Sequence, residues 1–441
     1  MKKYLALLLC FVMLLSIVAC GNTEPPATTT EVETKEETKK TEEKKETKEE
    51  NKELVIEDTS MIEKLKALPI ANESMSEDEL RKLCVDYMRL ACSFCYTPNE
   101  TYTYTVESQK VEEVEKKGTL YAGLPYVTAG SGSLYRVANY YNSETGVLTI
   151  TPFVGNARWF GNACSGGVCT AWSRVVNSVK FGYTKDMTQG NGYVNVGPYT
   201  YPNDFTTFET NHRGNYDAKA VIKDNSEQIM YESYAATKPA DGIVNTGHVR
   251  MVVEMPNVVR NDDGTIDGQR STIIYCDQIC YNTSEKYKRT QSDGTVYFTQ
   301  GGVDVEVSFA ELYEGSYLPF TFKEFLGTDP VEKATVTASG IEGKTGITYD
   351  ELKNSVITSN YNISDVIFTM KDESGKVLIP SRYLRSPTFF IYSVNLAEKI
   401  DDAFPSGLIH NFATDGGILE VSVQLYNGEL INVYNGNISI N

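Results

Sequence analysis

Only three histidines, His212, His248 and His410, and two tryptophans occur in the 441 residues of this chain. Chemistry that needs an imidazole base therefore has three candidates. Basic residues are in deficit as well: 41 Lys and Arg stand against 59 Asp and Glu, a formal net charge of -18. Neutralising phosphates takes clustered cations, so this balance points away from a nucleic-acid partner. Many charges of both signs sit in one stretch near the start, so the net value says little about the folded part. No fixed period recurs, which removes repeat architectures. A hydrophobic fraction of 41% is that of an ordinary globular core, and the length suits two or three domains.

The first twenty residues, "MKKYLALLLCFVMLLSIVAC", read as an export signal: Lys2 and Lys3 make the positive start, and Leu5 to Val18 an apolar run too short for a comfortable membrane span. Its end, "IVAC", resembles the lipobox of bacterial lipoproteins, in which the cysteine is acylated and becomes the new first residue. That resemblance implies lipid on Cys20 and a protein anchored to the cell membrane, facing the extracellular, cell-wall side, since each buried CH₂ of an acyl chain contributes about 0.8 kcal/mol. The alternative is a plain secretory signal. Residues 21–58 are nearly devoid of apolar side chains and rich in Thr, Glu and Lys, the composition of a disordered tether.

A helical accessory segment is expected over residues 59–118. In "SMSEDELRKLCVDYMRLACSFC", Ser76 with Glu79 forms a capping box, and Leu80, Leu83, Tyr87, Leu90 and Ala91 recur at helical spacing up to a stop at Pro98. Residues 119–327 hold Gly- and Tyr-rich loops, a second helix from Cys164 to Val179, and then short strands bounded by Gly, Asn and Asp, which is an α+β pattern. Residues 328–441 look all-β. Asn427-Gly428 and Asn435-Gly436 are hairpin signals, and an immunoglobulin-like sandwich of about a hundred residues is expected.

Nine cysteines sort by position. Cys10 departs with the signal and Cys20 takes lipid, leaving Cys84, Cys92, Cys95, Cys164, Cys169, Cys276 and Cys280. An odd number in an exported chain suggests one reactive thiol and pairing among the others. In "GNACSGGVCTAW" Cys164 stands at a helix start, where the macrodipole and unpaired amides lower a thiol pKa. Gly166 and Ser165 leave room for an acyl group and for backbone donors to an oxyanion. Cys169, a turn further in, reads as packing. Among the bases, His410 falls in the C-terminal β region and His212 in the polar loop "TNHRGNY". His248 opens the strand "HVRMVVE" directly after Gly247, where a rigid edge can hold an imidazole.

"GNACSGGVCTAW" resembles the nucleophile motif of the NlpC/P60 superfamily, papain-like cysteine peptidases of bacterial cell walls, and "DGIVNTGHVRMVVE" is similar to that family's turn into a His-Val strand. The order of elements agrees: cysteine on a helix start, histidine on a strand, a further strand after it. The resemblance covers roughly Thr119 to Leu326. It implies a papain-like fold, Cys164 as nucleophile, His248 as base, peptidoglycan stem peptides or a related amide as substrate, and no metal or organic cofactor. Two departures stand out: Ala163 replaces the family's acidic residue ahead of the nucleophile, and the insert between Cys164 and His248 is long. The residue that orients the imidazole should lie on "STIIYCDQICY", with Asp277 first and Gln278 and Tyr275 as rivals; strand alternation puts Tyr275 and Asp277 on one face.

Two other function classes remain open at this point. A non-catalytic surface-binding lipoprotein could retain the fold without the activity. The pairs Cys92/Cys95 and Cys276/Cys280 imitate a four-thiolate zinc site in an interaction module, although their spacing matches no compact zinc knuckle.

Overall fold

The computed structural model describes residues 61–106, 111–130, 132–153, 157–179, 183–188, 192–202, 218–279, 287–385, 391–413 and 417–440. The export signal with Cys20, the tether, His212 and Cys280 lie outside the described residues. Among those described, no helix is long and apolar enough to cross a membrane.

The chain is α+β. At its centre is an antiparallel sheet of six strands: β1 (Tyr193–Asn195), β2 (Gly242–Val244), β3 (Val249–Val252), β4 (Thr272–Gln278), β5 (Gly301–Ser308) and β6 (Leu318–Phe322). Their order across the sheet is β5-β4-β3-β2-β6-β1. Helices pack on it, two of them against β3 and β4. Helix α1 (Glu77–Ser93) begins with the predicted capping box: the Glu79 amide donates to Ser76 Oγ at 3.3 Å, and the Ser76 amide to Glu79 Oε2 at 2.8 Å. It ends at Ser93, before Pro98, because Cys95–Pro98 forms a strand of a second, mixed six-stranded sheet.

Helix α2 (Cys164–Trp172) is buried along its whole length. Trp172 closes it, donating from Nε1 to the Ala240 carbonyl at 2.8 Å and packing edge-on against Phe320 and Phe322 of β6. The helix is shorter than the apolar stripe predicts. Val175, Val176 and Val179 are buried outside it, and the carbonyls of Val175 and Val179 accept from Tyr361 Oη at 3.4 Å and Asn362 Nδ2 at 2.8 Å. Partners from the C-terminal unit thus take up acceptors that further helix would have satisfied.

One hydrophobic core runs from Met61 to Val331 and takes in Tyr426, so α1 shares its packing with residues 119–327; a second core draws on residues from Ala334 to Ile438. That second unit departs from an all-β sandwich. Its seven strands form a single hydrogen-bonded sheet, because the 16-residue strand Val356–Lys371 pairs with four others along its length. It also contains the helices Tyr349–Lys353, Ile400–Ala403 and Ser406–Ala413. Asn427-Gly428 makes the expected turn, with Gly428 at φ 100. Asn435-Gly436 instead lies inside the strand Leu430–Ser439. A Cβ on Gly436 would come within 2.5 Å of the Thr345 carbonyl, so the glycine serves the close approach of two backbone segments.

Candidate active site

The start of α2 is fixed by backbone packed on backbone. Asn162 donates its amide to the Pro125 carbonyl at 2.8 Å, Val127 donates to Asn162 at 3.1 Å, and Ala163 donates to Gly130 at 3.2 Å. A Cβ on Gly166 would sit 1.9 Å from the Gly130 carbonyl, so this crossing needs glycine. Ala163 at the N-cap offers no side-chain acceptor to the first turn. Its amides and the positive end of the helix dipole are left to the Cys164 thiol, which is 6% exposed.

His248 sits where β2 turns into β3. Asn245 builds that turn: its Oδ1 accepts the amides of Gly247 at 3.0 Å and His248 at 2.7 Å, and its Nδ2 donates to the Gly315 carbonyl at 3.0 Å. The histidine thus stands just ahead of its strand, pinned on both sides. Asn245 was not among the sequence-predicted residues, although an Asn two positions before a Gly, between apolar runs, signals such a turn.

His248 Nε2 lies 2.7 Å from Asp277 Oδ2 on β4. Asp277 is 2% exposed, and a Cβ on Gly302 of the adjacent β5 would stand 2.4 Å from its Oδ1. Glycine at 302 is therefore what gives the carboxylate its room. Gln278 turns to the helices instead: its Nε2 lies 3.6 Å from Cys92 Sγ of α1, and its Cγ would touch a side chain placed at Gly167 of α2. Tyr275 shares the Asp277 side, where its ring covers the guanidinium of Arg250 at 4.2 Å. Of the three residues proposed to orient the imidazole, Asp277 is the one on His248.

The electrostatics follow from these contacts. Burial by itself pushes the Cys164 thiol up. A hydrogen bond and the charge of His248, with the backbone amides of Val249 and Ser165, outweigh burial and hold it below its ordinary value. Burial likewise opposes a charged His248, yet hydrogen bonds to Asp277 and Cys164 raise it to about 10. Both shifts favour a thiolate beside an imidazolium. With Nε2 given to Asp277, Nδ1 is the ring nitrogen left for the sulfur.

The other predicted residues fall elsewhere. Cys169 is fully buried in α2. His410 is exposed, and it stands on the helix Ser406–Ala413 rather than in a strand; Pro405, just ahead, favours a helix start there. Cys84, Cys92, Cys95, Cys164, Cys169 and Cys276 are all buried free thiols, so the pairing expected from the odd count is not found among the described residues. Apart from Cys164, each occupies a packed core position in the manner of a small apolar side chain. No group of three metal-ligating side chains occurs among the described residues.

No family model, no curated protein and no solved structure matches this chain, so Cys164, His248 and Asp277 carry the case for its chemistry on their geometry alone.

Proposed function

We propose that the protein is a thiol hydrolase of the NlpC/P60 type, papain-like in fold, which cleaves amide bonds in peptidoglycan stem peptides from a lipid anchor on Cys20 at the outer face of the cell membrane. The observation that carries this is the alignment of a helix-start thiol with an imidazole whose far nitrogen is held by a buried carboxylate at 2.7 Å. The Cys164 thiolate attacks the amide carbonyl, and the unpaired amides at the start of α2 receive the oxyanion. His248 gives its proton to the departing amine as the C–N bond breaks. Water, deprotonated by His248, then hydrolyses the thioester and restores the thiol–imidazole pair. Asp277 keeps the ring oriented, and the sequence requires no cofactor.

The test is purified peptidoglycan treated with the wild-type protein and with Cys164→Ala. The variant should lose amine release by at least about 10³-fold. Equal release by both proteins would exclude the mechanism. If neither protein releases amine yet both bind the polymer, the chain is a binding lipoprotein that has kept a thiol site without using it.

A further inference from the structure

Arg250 stands on β3 two positions after His248, and both side chains reach the same oxygen of Asp277, His248 Nε2 at 2.7 Å and Arg250 Nε at 3.6 Å. Its guanidinium is held between two rings, Tyr275 at 4.2 Å and Tyr317 at 4.5 Å. Two rings packed on the group restrict its plane and favour N–H donors directed along its edge. Those donors are unspent: among the described residues the guanidinium makes no hydrogen bond, and its buried Nε has no hydrogen-bond partner. Its ion-pair partner, Asp277 Oδ2, is 3.6 Å from Nε, beyond hydrogen-bond reach, and that oxygen's hydrogen bond is already given to His248. Glu311, whose carboxyl also feels the Arg250 charge, is committed to Ser308, accepting from its hydroxyl at 2.7 Å and its amide at 3.0 Å. The side chain stays 18% exposed. Tyr317, which covers one side of the guanidinium, is also within electrostatic range of the Cys164 sulfur. A partly buried cation with free planar donors, one ring from a nucleophile, matches a carboxylate better than any neutral group.

We infer that Arg250, stacked between Tyr275 and Tyr317 beside the Cys164–His248 pair, receives a carboxylate of the substrate, so that the site selects peptides with a free carboxylate close to the scissile amide. This rests on the hydrolase reading and narrows its substrate class.

Two alkylating reagents test it. Iodoacetate and iodoacetamide each form a bond from sulfur to the same CH₂ carbon and expel iodide, one carrying a carboxylate and the other a carboxamide. Toward a free thiolate such as that of glutathione the anion is the disfavoured reagent, because like charges repel. At Cys164, mass spectrometry of the alkylated peptide should give an iodoacetate-to-iodoacetamide rate ratio about tenfold above that of glutathione. Arg250→Gln should return the ratio to the glutathione value, and Arg250→Lys, which keeps charge without the planar donors, should fall between; circular dichroism checks that both variants fold. A wild-type ratio equal to that of glutathione, or a raised one indifferent to Arg250→Gln, overturns the assignment and leaves the thiol reading standing. A thiol inert to both reagents sinks the hydrolase reading instead. The carboxylate site is then measured by calorimetry on Cys164→Ala protein, with soluble muropeptides and the same pool amidated by carbodiimide and ammonia. Tighter binding of the untreated pool supports Arg250; equal or absent binding overturns it.

Discussion

At the scale of single residues, the site is defined by which atoms have their hydrogen bonds committed and which do not. Asp277 gives Oδ2 to His248 at 2.7 Å, and its Oδ1 has no partner among the described residues. The carboxylate thus hydrogen-bonds to the imidazole alone among the described residues, with the Arg250 guanidinium 3.6 Å from the same oxygen as its other charged neighbour. Asp277→Asn keeps the shape and removes the charge. It should lower kcat by about 10²–10⁴-fold. It should also move the pH profile of Cys164 alkylation upward, because burial lowers the His248 pKa and the bond to Asp277 is the largest influence raising it to about 10. With that support weakened, the imidazolium persists to a lower pH and the thiolate it stabilises needs a higher one. An alkylation profile identical to wild type would remove Asp277 from the catalytic group. The part of this that the sequence carried was chemical: a thiol on a helix start, one histidine on a strand after glycine, and a choice among three side chains. That choice was closed by neighbours that no local pattern contains, namely Gly302 making space on one side and α1 and α2 drawing Gln278 to the other.

Elements show the same division between local and distant causes. The capping box of α1 and the shared side of Tyr275 and Asp277 are local patterns, and both stand in the structure. The end of α2, the single C-terminal sheet and the placement of Asn435-Gly436 within a strand depend on partners far along the chain, which is why periodicity and turn signals misplaced them. Glu115 is another case, a carboxyl that ties elements together. It ends the strand Val111–Glu115 and is 3% exposed. Gln300 Nε2 donates to its Oε1 at 2.8 Å, and Tyr96 Oη donates to its Oε2 at 3.1 Å. Gln300 Oε1 in turn accepts the Tyr126 amide at 3.2 Å, next to the loop that crosses the start of α2. Burial raises the Glu115 carboxyl from 4.5 to about 7, the hydrogen bonds offsetting only part of that. The folded-state value lies above the unfolded one, so this group's contribution is full below about pH 4.5 and is lost as pH rises through about 7. A shift of this size corresponds to on the order of 3 kcal/mol. Glu115→Gln should flatten the fall in urea midpoint between those pH values, since an amide can accept from Gln300 and donate to the Tyr96 oxygen without titrating. A slope as steep as wild type would assign the titration to other groups.

Across the whole molecule, the two cores are joined by buried charge and by side chains crossing between them. Arg136 Nε contacts both Asp365 oxygens at 3.1 Å, with the two side chains 3% and 0% exposed, and its Nη2 donates to the Ser364 carbonyl at 2.6 Å. Arg385 crosses in the opposite direction, giving Nη1 to the Pro152 carbonyl at 2.9 Å with its guanidinium 4.9 Å from the Trp159 ring. Arg136 stands on the helix Leu134–Ala138, just after Gly132, whose amide donates to the Gly161 carbonyl at 2.8 Å immediately ahead of the nucleophile helix. The C-terminal unit therefore braces the segment that sets the position of Cys164. Asp365→Ala leaves a guanidinium buried without its counter-ion, a change that costs about 3–5 kcal/mol, whereas replacing both partners by apolar residues of similar volume is often near neutral. The single variant should lower the urea midpoint strongly, and the double variant Arg136→Met with Asp365→Leu should recover most of the loss. Iodoacetamide reactivity of Cys164 should fall in the single variant under conditions where it is still folded, because the start of α2 loses its brace before the core opens. A single variant with normal stability and a normal Cys164 rate would mean that the two units are held by their apolar and aromatic contacts, and that the site stands without the C-terminal half.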